Sequence, residues 1–592
     1  MQHIKQHLAV LTLQALQELY GLEGDLPELQ PTRKEFEGDL TLVVFPYLRW
    51  SKKKPEETAR DIGNYLRERE PQIARFNVVK GFLNLSLADA YWINKLEVLR
   101  AASSFGLRPE KPRKLLVEFS SPNTNKPLHL GHIRNIVLGD SVARILQAAG
   151  HEVKKVQIIN DRGIHICKSM LAWQKYGQGE TPQSSGMKGD HLLGKYYVRF
   201  DQELKKQVAE GVEAGKEPEQ AEQEAPLQQE VQAMLQRWEE GEEETMALWS
   251  QLNAWVLEGF EQTYRRMGVS FDQNYYESAT YLLGREVVLD GLAKGLFFRK
   301  DDGSVWCDLA EEKLPEKLLL RKDGTSVYMT QDIGTAIQRY RDHGLEGMIY
   351  TVGNEQDHHF KVLFAILKKL GYQWAHHLYH LSYGMVNLPH GKMKSREGTV
   401  VDADDLMEEM YSTARTMAEE MGKTEGMSEE QKDELYRMVG LGALKYYILK
   451  VDPRKQMTFN PEESVDFQGH TGPFIQYTHA RIRTLLRKAD SGENTAHSLD
   501  YPDLLDQERA ILKILLQYPE CLEEAAQEYQ PSKVAQYIYD LVKAFNVLYQ
   551  QVPILSDPSA EAVAFRLLLA RQTGDVVQHG MELLGIQVPD RM

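Results

Sequence analysis

Three cysteines in 592 residues, Cys167, Cys307 and Cys521, stand too far apart for a disulfide framework or a Cys-x-x-Cys zinc site. No structural metal is expected. No run approaches the roughly 18 consecutive apolar residues of a membrane span. The opening segment MQHIKQHLAVLTLQALQELYG reads as an amphipathic helix, not a secretory signal, so the expectation is a cytoplasmic chain with no membrane partner. Excess positive charge is also missing: the formal balance is -16, which by itself argues against a nucleic-acid partner. That average conceals segregation, because residues 201–245 hold 14 Asp plus Glu against 4 Lys plus Arg.

What is present is ordinary for folded domains, with 42% hydrophobic and 26% charged residues, and the length predicts about three to five folding units. Ile4, Leu8, Leu11, Ala15 and Leu19 recur at helical spacing, and Phe82 to Leu87 alternate like a strand, giving a small α+β unit over residues 1–108. A Rossmann-type parallel-sheet domain is expected over 109–405. There Leu115 to Phe119 and Val156 to Ile159 read as buried strands around an amphipathic helix from Gly131 to Ala149. The α/β rhythm resumes with strand-like runs at Gly347 to Val352 and Tyr379 to Val386, separated by the helical stretch Phe360 to Leu370. An insertion is placed at about 175–285, its acidic part, Gln202 to Thr245, reading as solvated helices or partly disordered chain. A helical linker over 406–470 and a helical bundle over 471–592 complete the expected multidomain α/β plus all-α architecture.

His129-Leu130-Gly131-His132 lies where the first strand's loop enters a helix, a position whose free N–H groups and dipole favour phosphate. Two histidines three apart could bind metal instead, but no third ligand is evident nearby. Some 260 residues later, Gly391-Lys392-Met393-Lys394-Ser395-Arg396-Glu397-Gly398 forms a cationic segment after a strand-like run. Alone it is a solvated basic turn; with the histidine pair it can neutralise phosphate charge.

Together these segments resemble HIGH and KMSKS, the paired signatures of class I aminoacyl-tRNA synthetases. Reading outward, Val117 to Asn135, Asn160-Asp161-Arg162-Gly163-Ile164, Tyr328-Met329-Thr330-Gln331-Asp332, Val352 to Asp357 and Thr471 to Arg481 resemble the arginyl members of that class, as does the ending Leu584-Gly585-Ile586 with Pro589 to Met592. The resemblance implies activation of L-arginine by ATP with release of pyrophosphate, then transfer to the 3'-terminal adenosine of tRNA-Arg. It further implies that activation depends on bound tRNA and that the ester forms first on the 2'-hydroxyl. ATP is expected as a substrate carrying Mg2+, held by His129, Gly131, His132, Lys392, Met393 and Ser395. His129, His132, Lys126 and Lys392 are the expected catalytic residues, acting by phosphate neutralisation, without a general base or a covalent enzyme intermediate.

By the same resemblance Glu118, Asn123, Tyr328, Asp332 and Gln356 line the amino-acid pocket. Their chemistry fits, because a guanidinium is a planar, permanent cation best held by carboxylates and oriented acceptors. Tyr328 and Asp332, four apart, share one face if their segment is helical. Ser395 stands where the second KMSKS lysine would be. The family's usual substitute is a lysine just ahead of HIGH, here Lys126, with Lys394 as the competing candidate. Tyr477, Arg481, Arg483, Arg487 and Lys488 on the helix from Phe474 to Lys488 are the expected tRNA contacts, a solvated helix face being the plain alternative. A monomer is expected. Among other classes, a different nucleotidyltransferase would not need so large a helical C-terminal half, and a silent tRNA-binding paralogue would have no reason to keep both histidines. A glutamyl enzyme of the same class should show a cationic pocket.

Overall fold

The structure is a computed structural model describing residues 2–33, 35–101, 105–107, 109, 111–387, 401–422, 424–490, 501 and 503–592. Its first unit is an antiparallel sheet of β1 (Leu29–Pro31), β2 (Leu40–Val43), β3 (Ile73–Val79) and β4 (Phe82–Leu87) in the order β1-β2-β4-β3. Helices Gln2–Tyr20 and Pro55–Arg69 accompany it. Ile4, Leu8 and Ala15 of the first are buried, as their spacing predicts, whereas Leu19 is exposed. This unit rests on the C-terminal helices through Arg509–Asp89 at 2.7 Å and the ion pair of Lys513 with Asp39.

The catalytic core is a five-stranded, wholly parallel sheet. Its strands are β5 (Lys114–Glu118), β6 (Glu152–Ile159), β7 (Gln273–Tyr276), β11 (Gly347–Gly353) and β12 (Leu378–Tyr383), in the order β12-β11-β5-β6-β7. The crossover from β5 to β6 is the helix Leu130–Ala148, buried on most sides with Arg134, Asn135, Asp140 and Ser141 among its buried residues, as a helix between a sheet and a second layer is. Strand order reverses between β5 and β11, so the crevice beyond their carboxyl ends is the place where such sheets bind ligands.

Two expectations need correction. The insertion was drawn to residue 285, yet Gln273–Tyr276 pairs with β6 as an edge strand of the main sheet. Its acidic part is not partly disordered: Gly189–Glu213, Pro218–Glu224, Pro226–Glu240 and Glu243–Met267 are packed helices. Leu204, Leu227, Val231, Met234 and Trp238 turn inward, leaving the carboxylates on the solvated faces. A second interruption, which the pattern of apolar residues did not reveal, is the antiparallel sheet of β8 (Phe298–Arg299), β9 (Val305–Cys307) and β10 (Lys317–Leu320).

The strand-like run to Val386 is broken at Gly384. Val386–Asn387, here β13, leaves the main sheet and pairs in parallel with Met457–Thr458, β14, so the expected helical linker contributes a strand to the catalytic region. From Ala403 on, the chain is otherwise helical, ending in Tyr518–Glu528, Pro531–Gln551 and Ala560–Leu583. Long-range contacts tie these helices to the core. Ser141 Oγ donates to Leu583 O at 2.9 Å, and buried Lys445 donates to both Met267 O and Gly585 O at 2.6 Å. No helix among the described residues is long and apolar enough to cross a membrane.

Candidate active site

Immediately after β5 the chain turns sharply, with Ser120 at φ 70° and Ser121 at φ 47°. Two successive non-glycine residues in the left-handed region cost on the order of 1–3 kcal/mol each and need surrounding bonds to hold them. Those bonds are present. Asn135 Oδ1 accepts from Ser120 N at 2.5 Å, Ser120 Oγ meets Tyr264 Oη at 2.7 Å, and Ser121 Oγ accepts from Ile158 N at 3.2 Å. The turn leaves Glu118 at the strand's end and exposed Asn123 beside Asn160, which follows β6. All three lie at the carboxyl edge of the sheet.

The histidine pair begins the helix that follows. His129 is its N-cap: its Nδ1 accepts from Gly131 N at 3.1 Å, while His132 Nδ1 accepts from His129 N at 3.2 Å. Because each Nδ1 accepts a hydrogen bond, each neutral ring carries its proton on Nε2. Burial and the nearby Lys126 ammonium push His129 down to about 4, and burial with His129 and Lys126 lowers His132 well below the usual imidazole range. Held this way, each ring offers a hydrogen-bond donor at Nε2. Gly131 has a local reason as well, since a Cβ there would stand 2.9 Å from the His129 ring.

Lys126 lines a cavity of about 860 Å3 with His129, His191, Lys195 and Arg199 between the catalytic loop and the insertion helix Gly189–Glu213. Beside it His191 lies 3.2 Å from Asp404, and Lys188 pairs with Asp404 and, at 3.3 Å, with Asp190. Asp190, His191 and Asp404 are the one group among the described residues spaced like metal ligands, but the Lys188 ammonium already joins the two carboxylates. Lys392, Met393, Lys394 and Ser395 lie outside the described residues. The chain on either side of them is tied to the first signature. Leu130 N donates to Val401 O at 3.2 Å, Ala403 N donates to Leu128 O at 2.9 Å, and Val386–Asn387 is held in β13.

Tyr328 and Asp332 lie one turn apart at the start of the helix Tyr328–His343, Tyr328 largely exposed. Asp332 accepts from His359 Nε2 at 2.6 Å. Gln356 ends the turn after β11 and caps the helix Asp357–Lys369. Glu118 has an internal partner: Arg339, fully buried, pairs with its Oε2, and Ser121 Oγ donates to Oε1 at 3.3 Å. The carboxylate that adds to the Asp332 field is Glu277, which sequence reasoning missed. Burial first, then the charges of Asp161 and Asp332, raise Glu277 above the ordinary carboxylate range, with Arg162 opposing. Asp161 fixes its neighbour by accepting from Ser278 N at 2.9 Å and Ser278 Oγ at 2.7 Å.

The expected tRNA contacts on Gly472–Asp490 are mostly turned to the chain's own end. Arg483 pairs with Asp575 at 3.2 Å and donates to Gln578 Oε1 at 2.7 Å; Arg487 donates to Asp590 O at 3.1 Å. Arg481 donates to Asn546 Oδ1 and lies 4.8 Å from the half-buried Tyr477 ring. Lys488 is exposed. With Gln476 Nε2 donating to Gln587 O at 2.8 Å and His479 Nδ1 meeting Pro589 O at 3.0 Å, the Thr471 block and the terminal residues form one contact.

Comparison with known proteins bears directly on this arrangement. Residues 96–460 match the family model of the class I (R) tRNA synthetase catalytic domain, and residues 475–592 match the DALR anticodon binding domain. The chain is 55% identical to the arginine–tRNA ligase of Bacteroides fragilis over the full length of both, and 55% identical to that of Flavobacterium psychrophilum over 98% of both. Among solved structures it resembles the arginyl-tRNA synthetase of Thermus thermophilus, with 28% identity, complete coverage of both chains and a TM-score of 0.79.

Proposed function

This chain belongs to the arginyl class I tRNA synthetases, and on that premise we propose how its own residues join arginine to tRNA. It is an arginine–tRNA ligase. The arginine carboxylate attacks the α-phosphorus of ATP, pyrophosphate leaves, and a ribose hydroxyl of the tRNA's terminal adenosine then takes the arginyl group as AMP departs.

The residue assignment is supported by two imidazoles held with their Nε2 atoms free at the start of the helix after β5, and by two carboxylates, Asp332 and Glu277, near enough for their charges to act on each other. His129 and His132 offer Nε2 protons to phosphate oxygens at a helix N-terminus, where charge gathers as the phosphorus becomes five-coordinate. Fixed neutral donors need no proton rearrangement. Positive charge comes from Lys126, close enough to depress both rings, and from Lys392, and Mg2+ carried on the phosphates of ATP would add to it. Asp332 and Glu277 face the guanidinium, while Glu118, Asn123, Tyr328 and Gln356 line the rest of the amino-acid site. A neutral analogue would leave Glu277 without a cationic partner and Asp332 with His359 alone, which disfavours it. Arg487 and Lys488, at the exposed end of their helix, face the tRNA with Tyr477, Arg481 and Arg483 supporting that surface. The enzyme acts as a cytoplasmic monomer.

The test is exchange of labelled pyrophosphate into ATP with each of the twenty amino acids, with and without tRNA. Exchange with arginine alone, and only when tRNA is added, is the expected result; exchange with another amino acid removes the pocket assignment.

A further inference from the structure

We propose that Arg134 is a positioning residue for adenylate formation, setting the entrance of the second signature against the helix that carries the first. The inference rests on the proposed function, because it takes Lys392 to act on phosphate held at His129 and His132.

Arg134 follows His132 by two residues on the helix Leu130–Ala148 and is fully buried. Among the described residues its guanidinium hydrogen-bonds main-chain carbonyls: Nη1 donates to Met385 O at 3.3 Å, and Nη2 donates to Pro453 O at 3.0 Å and Lys455 O at 2.7 Å. The Tyr383 ring lies 6.0 Å away. Burying a charge is costly, and an apolar side chain of similar volume often serves stability as well or better. What an apolar group cannot do is hold three carbonyls in a fixed fork.

Those carbonyls belong to two segments about seventy residues apart in the sequence. Gly384 N donates to Pro453 O at 2.9 Å, Met457 N to Met385 O at 3.2 Å, and Phe459 N to Asn387 O at 2.9 Å, building the β13–β14 pair directly beyond the guanidinium. Residue 387 is the last described residue before the second signature and residue 401 the first after it. Val401 is bonded to Leu130, at the amino end of the same helix. One rigid helix thus carries the two histidines and grips the chain on both sides of the cationic segment, at Val401 through its first turn and at Met385 through Arg134. A misplacement of about 1 Å in such an arrangement costs roughly 10²-fold in rate without loss of ground-state binding.

Two variants test this at different atoms. Arg134→Lys keeps the charge but loses the fork. Gly384→Ala leaves Arg134 intact, yet its Cβ would stand 2.7 Å from Lys455 O and Gln456 N and force the same junction apart. With tRNA present, each is expected to lose about 10²-fold in kcat of arginine-dependent exchange, with arginine and ATP affinities unchanged. The double variant should lose no more than the worse single one, because both act through one contact. Full kcat in folded Gly384→Ala protein, or an arginine affinity that falls in step with kcat, would overturn the inference. Wild-type exchange with arginine is the separate check on the function itself.

Discussion

His132 accepts the backbone N–H of His129 at Nδ1, 3.2 Å away, and this contact decides which ring nitrogen holds the proton. With His129 lowered to about 4 and His132 lower than usual, neither imidazole titrates between pH 6 and 8. Activation should therefore show no ionisation of His129 or His132 over that range. Stability behaves differently. The unfolded rings take up protons near pH 6.5 while the folded ones resist, so this contribution is complete above 6.5 and is lost as pH falls toward 4. Denaturant midpoints from pH 8 to 4 measure the stability effect, and a midpoint that does not move would contradict it.

His129→Asn separates capping from chemistry. Asparagine is a good N-cap, so the melting temperature should change little, but the Nε2 donor is gone. We expect kcat of activation to fall about 10²-fold to 10³-fold, as for loss of a preorganised donor. Single-turnover adenylate formation with a thermal melt on the same sample reads both.

Asp332→Asn and Glu277→Gln should each weaken arginine binding about tenfold or more while leaving ATP affinity nearly unchanged. The Glu277 variant is the more informative, since no motif pointed to that residue. Equal arginine KM in wild type and Glu277→Gln would remove it from the pocket.

Lys126→Ala should reduce activation far more than Lys394→Ala, because Lys126 already depresses both imidazoles by its charge. Comparable losses would instead give the missing signature charge to Lys394.

Arg483 and Lys488 should part company in salt titrations. Arg483 is engaged with Asp575 and Gln578, so Arg483→Ala should lower the melting temperature by a few degrees and hardly alter the salt dependence of tRNA binding. Lys488→Ala should reduce the slope of log affinity against log salt by about one while sparing stability.

The sheet's strands β5 and β11 were legible because they are apolar runs buried along nearly their whole length, and β6 because its apolar second half is. The edge strand β7, Gln-Asn-Tyr-Tyr, carries no such pattern and was absorbed into the insertion, which also hid Glu277 one residue beyond it. Strands of two to four residues in β8–β10 offer too little periodicity to see. The helix start at His129 and the shared face of Tyr328 and Asp332 followed from spacing. Ring charge did not, because it depends on burial and on a lysine brought close by the fold. Arg134 escaped notice for a related reason: its partners are carbonyls more than 250 residues away, and carbonyls leave no trace in a sequence.

The bond from Ser141 to Leu583 joins residues 442 apart, and Lys445 finds one of its two carbonyl acceptors only at Gly585. A ribosome releasing this chain has thus delivered the complete nucleotide-binding sheet long before the groups that finish its buried polar contacts exist. Until then Lys445, which burial in the finished fold pushes down to about 8, has only the Met267 carbonyl of its two acceptors. The sheet domain and the terminal helices thus share buried polar contacts, and parting the two would leave the Ser141 hydroxyl and the Lys445 ammonium each short of an acceptor.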